Sequence, residues 1–170
     1  MNILETERLI LRQFTVDDAP FILELVNDAS WLRFIGDRGI RTLEQAQAYI
    51  LQGPIASYAQ HGFGLYLVRR KQDGAGIGMC GLLKRATLDD VDLGFAFLPQ
   101  YCGQGYAREA AAATLAHART QLGLSRIVAV TSPDNQRSIL LLEKLGFHFE
   151  RMIRLPPTNA ELKLFASPAC

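Results

Sequence analysis

The stretch Val91-Asp-Leu-Gly-Phe-Ala-Phe-Leu98, followed by Pro99-Gln-Tyr-Cys-Gly-Gln-Gly-Tyr-Ala-Arg108, an alanine-rich run to Leu122 and the β-branched segment Arg126–Thr131, decides the fold. The apolar run closed by Pro99 reads as a strand. Ala111, Leu115, Ala118 and Leu122 recur at helical spacing, and Gly123 supplies a C-terminal stop. Strand, helix and strand at this spacing predict two parallel strands joined by a right-handed crossover. Ligands of such units gather beyond the C-terminal ends of the strands, where the following helix offers unpaired amides. Gly103 and Gly105 at that junction let the backbone turn tightly and approach an anion, and Arg108 adds positive charge. A plain turn into a helix fits the same spacing.

Working outward, Arg8–Gln13 reads as a strand, and Thr15 with Asp17 and Asp18 opens a helix whose apolar stripe is Phe21, Ile22, Leu25 and Val26. Asn27–Ile40, with Trp31, Phe34, Gly36 and Gly39, reads as irregular. Thr42 and Gln45 form a capping box for a helix with Ala46, Tyr49 and Ile50 on one face, and Gly53-Pro54 is expected to break or kink it before Ile55–Gln60. Phe63–Arg70 and Ile77–Arg85 read as strands around a turn at Asp73-Gly74. Asn135–Leu145 reads as a helix stopped by Gly146. Phe147–Ile153 and Glu161–Phe165 read as a closing strand pair around Pro156-Pro157. Neither a repeat nor a linker interrupts the chain, which predicts one α/β domain over residues 1–170.

Composition narrows the function. At 170 residues and 49% hydrophobic, the chain buries roughly two thirds of its unfolded surface without needing staples. Eighteen Lys and Arg against 17 Asp and Glu give a net charge of +1, which is no footprint for a nucleic-acid backbone. No apolar run approaches a membrane span, and Met1–Arg12 lacks the order of a secretory leader. Cys80, Cys102 and Cys170 form no CxxC pair, and His61, His117 and His148 show no metal-ligand spacing. These features predict a cytoplasmic protein with no metal. Gly76-Ile-Gly78-Met-Cys-Gly81 matches the dinucleotide fingerprint, but more strand follows it where a helix is required. A hairpin running into a strand explains it better than an oxidoreductase does. GxxxxGK[ST] and GxSxG are absent, which removes the commonest ATPase and hydrolase readings.

Glu5-Thr-Glu-Arg-Leu-Ile-Leu-Arg12, Ile77-Gly-Met-Cys-Gly81, Asp92-Leu-Gly-Phe95, Pro99–Glu109 and Asn135–Phe147 follow one another in an order and spacing that resembles the GNAT N-acetyltransferases, in the group of the ribosomal-protein-alanine acetyltransferases. The resemblance covers nearly the whole chain. It implies an α/β (α+β) fold: a central mixed, mostly antiparallel sheet with two splayed parallel strands and flanking helices. It also implies acetyl-CoA as cosubstrate and direct transfer of the acetyl group to a primary amine, either a protein N-terminus or a small molecule.

By the same resemblance, the diphosphate loop fits in two registers, Gln100-x-x-Gly103-x-Gly105 or Cys102-x-x-Gly105-x-Ala107, and the second keeps the distance from Pro99. Either places the phosphate donors on Gly103, Gln104, Gly105, Tyr106, Ala107 and Arg108. The pantetheine arm would pair with Phe95, Ala96, Phe97 and Leu98 and touch Asn135, which is equally suited to cap a helix. Asp92 stands where relatives often carry Glu and would accept the amine's proton through water or hold the cation, unless Asp89-Asp90-Val-Asp92 is only a charged strand start. The Tyr that supplies the thiolate's proton in many relatives is replaced by Leu142, which leaves Ser138 for that role. Trp31 and Phe34 fall on the acceptor side and suit substrate contact or packing alike. A CoA-binding sensor without chemistry is the alternative that keeps the loop. The closing strand pair, if exposed, suits a homodimer.

Overall fold

The computed structural model describes residues 1–156 and 158–168; Pro157, in the expected closing turn, and Cys170 lie outside them. β1 (Asn2–Glu5) and β2 (Leu9–Arg12) pair antiparallel, with Leu9 and Leu11 pointing into the core. β1 lacks a buried residue of its own, so no periodic pattern announces it. Arg12 chelates Asp18 through bonds of 2.8 and 2.7 Å, and the same carboxylate accepts the Thr15 amide at 2.9 Å. That pins a single 3-10 turn, Val16–Asp18, ahead of α1 (Ala19–Val26), where Pro20 occupies the first turn at no hydrogen-bond cost.

The Asn27–Ile40 segment is not wholly irregular. It holds a short helix, α2 (Ala29–Phe34), capped by Asp28, whose carboxylate accepts the Ser30 amide at 3.0 Å. Six residues with one buried side chain carry too little periodicity to read. α3 (Leu43–Ile50) starts at the Thr42/Gln45 capping box, as expected. Gly53-Pro54 does not break it. The chain widens into a π-helical stretch over Leu51–Ile55 and runs on as α4 (Ala56–His61). A wider turn absorbs a proline, which cannot donate and crowds the carbonyl four residues back.

β3 (Leu65–Arg70), β4 (Gly76–Leu83) and β5 (Asp92–Phe97) form an antiparallel meander. α5 (Tyr106–Thr120) then crosses back and lays β6 (Val128–Thr131) parallel to β5. α6 (Gln136–Lys144) leads to β7 (His148–Arg154) and β8 (Glu161–Ala166), and β8 inserts between β6 and β7. The eight strands run β1-β2-β3-β4-β5-β6-β8-β7, with β5 and β6 the one parallel pair among the described residues. One face of the sheet packs Tyr66, Val68 and Cys80 against Ala111, Leu115 and Leu142. The other packs Leu65, Leu67 and Met79 against Ile22, Trp31 and Ile50. Among the described residues no helix is long and apolar enough to cross a membrane.

The glycine pattern of residues 76–81 lies inside β4, mid-sheet. A Cβ on Gly81 would stand 2.0 Å from the Gly64 carbonyl oxygen, and one on Gly78 would stand 2.6 Å from that of Ala96. Close approach of neighbouring strands, not a nucleotide, explains these glycines. Gly81→Ala is therefore expected to cost about 1–3 kcal/mol as β3 and β4 are forced apart. Thermal unfolding checks this as a fall in Tm of roughly 2–4 °C per kcal/mol; an unchanged Tm would count against the strand-packing account.

Candidate active site

β5 and β6 share a single register pair, Asp92 with Val128, beside which the Val128 amide donates to the Val91 carbonyl at 3.0 Å. Past that point the strands part, and β5 presents an edge of backbone donors and acceptors with no strand against it. A cleft of about 840 Å³ fills the gap. Its walls are Gly94–Phe97 on β5, Ala129–Ser132 along and after β6, Asn135 and Ser138 at the head of α6, and Trp31 and Phe34 of α2.

At the C-terminal end of β5 the chain makes a tight loop into α5. Gly103 and Gly105 both take the left-handed conformation, with φ of 79° and 83°, which other residues adopt only under strain. Gly105 is the N-cap and offers no side chain to satisfy the first amides of the helix. The amides of Gly103, Gln104 and Gly105 likewise have no intramolecular acceptor among the described residues. Unsatisfied amides facing solvent at a helix N-terminus form an anion site, so the loop fits a diphosphate. Of this loop, Cys102 and Ala107 reach the cleft wall; Gln100, Gly103, Gln104, Gly105, Tyr106 and Arg108 do not line it, and the Gln100 carbonyl accepts from the Gln104 side chain at 3.3 Å. The structure thus sets Cys102, the residue of the second register, beside the cleft.

One expected cofactor contact, Leu98, needs correcting, and a second, Tyr106, is limited to the amide that was expected of it. Leu98 is buried in the core under α1 and α3, off the cleft, and its amide already donates to the Ile77 carbonyl at 2.9 Å. The Tyr106 ring is buried on the far side of the loop, with the Arg8 guanidinium 4.3 Å from its centroid, which leaves only its amide for a ligand. Sequence reading missed why the loop holds its shape. Glu109 accepts the Thr6 hydroxyl, the Arg8 amide at 2.9 Å and the Arg8 Nε at 2.7 Å, while Arg8 Nη1 donates to the Gln104 carbonyl at 3.0 Å. Burial works against the charge on Glu109, yet these donors outweigh it and hold its carboxyl below the usual range. The Thr6/Arg8 part of the opening motif was the available signal.

Asp92 is 1% exposed, lines the cleft and lies 3.4 Å from the Arg85 Nε. Burial pushes its carboxyl above the ordinary value, and the neighbouring charges of Arg85 and Lys84 oppose the shift without cancelling it. Asn135 caps α6, its Oδ1 accepting the Ser138 amide at 3.3 Å, and both residues face the cleft. The Ser138 hydroxyl makes no hydrogen bond among the described residues, and Leu142, one turn on, is buried. Trp31 is both core and cleft wall: it is 4% exposed, with its Nε1 unpartnered. Phe34 is half-buried, with the Arg33 guanidinium 4.7 Å from its ring centroid. The Cys80 thiol, 3.5 Å from the Thr114 hydroxyl, is fully buried and its pKa is pushed up to about 12, which removes it as a nucleophile. Arg38, from the segment that the resemblance sets on the acceptor side, also lines the cleft, as do Tyr49, Lys84 and Arg85, which carried no local signal of a site.

Residues 8–148 match the family model of the acetyltransferase (GNAT) domain. The chain belongs to this family. As a GNAT acetyltransferase it is an acyltransferase that uses acetyl-CoA. It is 33% identical over 153 residues to an uncharacterized N-acetyltransferase of Bacillus subtilis, YoaA, covering 89% of this chain and 86% of that one. Two more distant solved structures share the fold. One is the ribosomal-protein-S5-alanine acetyltransferase of Vibrio fischeri, with TM-score 0.79, 20% identity and coverage of 99% and 97%. The other is RimL, the ribosomal L7/L12 alpha-N-protein acetyltransferase, in complex with coenzyme A, with TM-score 0.82, 18% identity and coverage of 99% and 98%.

In this GNAT acetyltransferase, Gly105→Val is expected to reduce acetyl-CoA affinity at least ten-fold, about 1.4 kcal/mol, because a β-branched residue is driven out of the left-handed region and takes the α5 amides with it. Calorimetric titration checks this; unchanged affinity would place the phosphates elsewhere.

Proposed function

We propose that this acetyltransferase passes the acetyl group of acetyl-CoA directly to a primary amine, with no acyl-enzyme intermediate. The observation that carries the reading is the unpaired β5 edge opening into a cleft that reaches Cys102 and Ala107, the residues on either side of a loop of free amides. An extended arm with amide groups, attached to a diphosphate, satisfies both features at once. Phe95–Phe97 hold the arm by backbone pairing, the amides of Gly103–Arg108 hold the phosphates, and the Asn135 side chain borders the arm. Acetyl-CoA supplies an activated thioester carbonyl. In the transfer an N–C bond forms as the C–S bond breaks, the amine loses a proton and the departing thiolate gains one.

Asp92 takes that proton, directly or through one water. Its raised pKa makes it a better base than an exposed carboxylate, and its burial keeps solvent from competing. The free hydroxyl of Ser138 hydrogen-bonds the leaving sulfur, a task Leu142 cannot perform. Trp31 and Phe34 flank the acceptor. The ribosomal enzymes of the same fold, named for protein substrates, support a protein N-terminus as one form of the amine; a small molecule is the other.

Asp92→Asn keeps the shape and removes the base. It is expected to lower kcat by about 10- to 100-fold, the lower part of the general-base range because a water relay is available, with acetyl-CoA affinity unchanged. Only the ionised carboxylate accepts a proton, so kcat/KM falls as pH drops through a pKa that lies above the ordinary carboxylate value. That acid limb disappears in Asp92→Asn. Thiol release across the pH range measures both, and an unchanged limb would remove Asp92 from the reaction.

Ser138→Ala is expected to lower kcat roughly ten-fold, the worth of one hydrogen bond to the sulfur, with the KM for acetyl-CoA little changed. A rise in KM alone would make Ser138 a binding contact.

A further inference from the structure

The far end of the cleft has a charge that a cationic acceptor would not choose. Lys84 and Arg85 follow directly on β4, whose Leu83 is paired with Asp92 at the start of β5. They therefore lie at the opposite end of β5 from the phosphate loop. The five steps of ~3.3 Å along this six-residue strand put roughly 17 Å between the two, too far for these cations to serve the diphosphate. Arg38 and Tyr49 line the same cleft.

Apart from the Arg85–Asp92 pair, little in the protein answers this charge. Arg41 takes Asp37, the carboxylate beside Arg38 in sequence, at 2.6 Å, and among the described residues Arg38 has no ion pair or hydrogen bond. The Lys84 ammonium donates to the carbonyls of Arg85 and Leu88 and to no carboxylate. The Tyr49 hydroxyl has no hydrogen-bond partner among the described residues. Arg38 and Arg85 line the same cleft as Tyr49, and their charges both oppose the rise in its pKa that burial causes. Three carboxylates line the cleft. Asp28 is used in capping α2, and Asp134 is bound to Ser132 and lies 3.5 Å from Arg33. That leaves Asp92, which lies 3.4 Å from Arg85, in a cleft that Arg38, Lys84 and Tyr49 also line.

We propose that the acceptor is a primary amine that carries a carboxylate a few bonds from its nitrogen, as an amino acid does, with the carboxylate held by Arg38, Arg85 and the Tyr49 hydroxyl while the nitrogen faces Asp92. The proposal rests on the acetyl-transfer reading above and names its substrate class. Arg85 already lies 3.4 Å from Asp92, so the base and the anion receiver are one ion pair apart. That separation matches a short amino acid and not a chain with its charges far apart. Guanidinium groups hold carboxylates through paired hydrogen bonds, and a phenol completes the set. A polyamine would meet like charge at the same place, which costs affinity.

The test is calorimetric titration of the protein–CoA complex, in which no acetyl group can move. The ligands are alanine, leucine and phenylalanine, each compared with its decarboxylated amine and its carboxamide, with spermidine as a polycation. At least one amino acid is expected to bind about ten-fold or more tightly than both its amine and its amide. Arg38→Gln and Tyr49→Phe are each expected to shrink that preference while Tm and CoA affinity stay at wild-type values. An amide that binds as well as its acid overturns the proposal and favours a peptide N-terminus, whose first residue also lacks a free carboxylate. Tighter binding of spermidine or of the decarboxylated amines overturns it, as does binding of none of the amino acids. Failure of acetyl transfer itself is read separately, as absence of thiol release from acetyl-CoA with every amine tested.

Discussion

The separation of β5 from β6 is the constraint on which the rest depends. Adjacent parallel strands ordinarily satisfy each other's backbone groups along their whole length, and here they do so at one register pair, Asp92 with Val128. Leaving a strand edge unpaired inside a protein is costly unless water or a ligand completes it. The sheet tolerates the gap because its other pairings are complete on both sides: β4 covers the opposite edge of β5 along six residue pairs, and β8 covers β6 along four. The opening is therefore confined to one seam in the middle of a continuous sheet. A ligand that is itself an extended chain with amide groups can lie in that seam as a surrogate strand.

The seam has two electrostatically different ends. Where β5 finishes, left-handed glycines and an uncapped helix present backbone amides, a donor array with fixed direction and no side-chain entropy to lose. Where β5 begins, the charge is carried by side chains, with a buried carboxylate set against guanidinium and ammonium groups. An anion bound at the first end is recognised by the shape of the backbone. A ligand at the second is recognised by charge that single substitutions can change. The family fold fixes the first, and the individual sequence is free to set the second.

The N-terminal strands take part in this arrangement from a distance. Thr6 and Arg8 stand beside β2, yet their polar groups converge on Glu109 in the first turn of α5 and on the Gln104 carbonyl of the loop. The Glu109 carboxylate also suits the positive end of the α5 dipole. This network joins the start of the chain to the loop across more than ninety positions and holds the helix N-terminus against the sheet.

Much of this was legible in the sequence because its signals are local. The strand ending at Pro99, the glycine loop, the alanine-rich helix and the Thr42/Gln45 capping box depend on neighbours within a few positions, and the strand–helix–strand order imposes the parallel pair. Tertiary structure decided what neighbours could not. β1 pairs only because β2 is there to receive it, and Pro54 is absorbed by a π-helical turn instead of ending a helix. The glycines of β4 answer to the backbones of β3 and β5, which a fingerprint match cannot see. Asp92 became a buried carboxylate with a raised pKa only when the sheet closed over it and Arg85 came within 3.4 Å. Tyr49 joined the cleft in the same way, through packing between elements far apart in the chain. Short-range chemistry wrote the scaffold and the phosphate loop into the sequence, while long-range packing determined which charges face the acceptor.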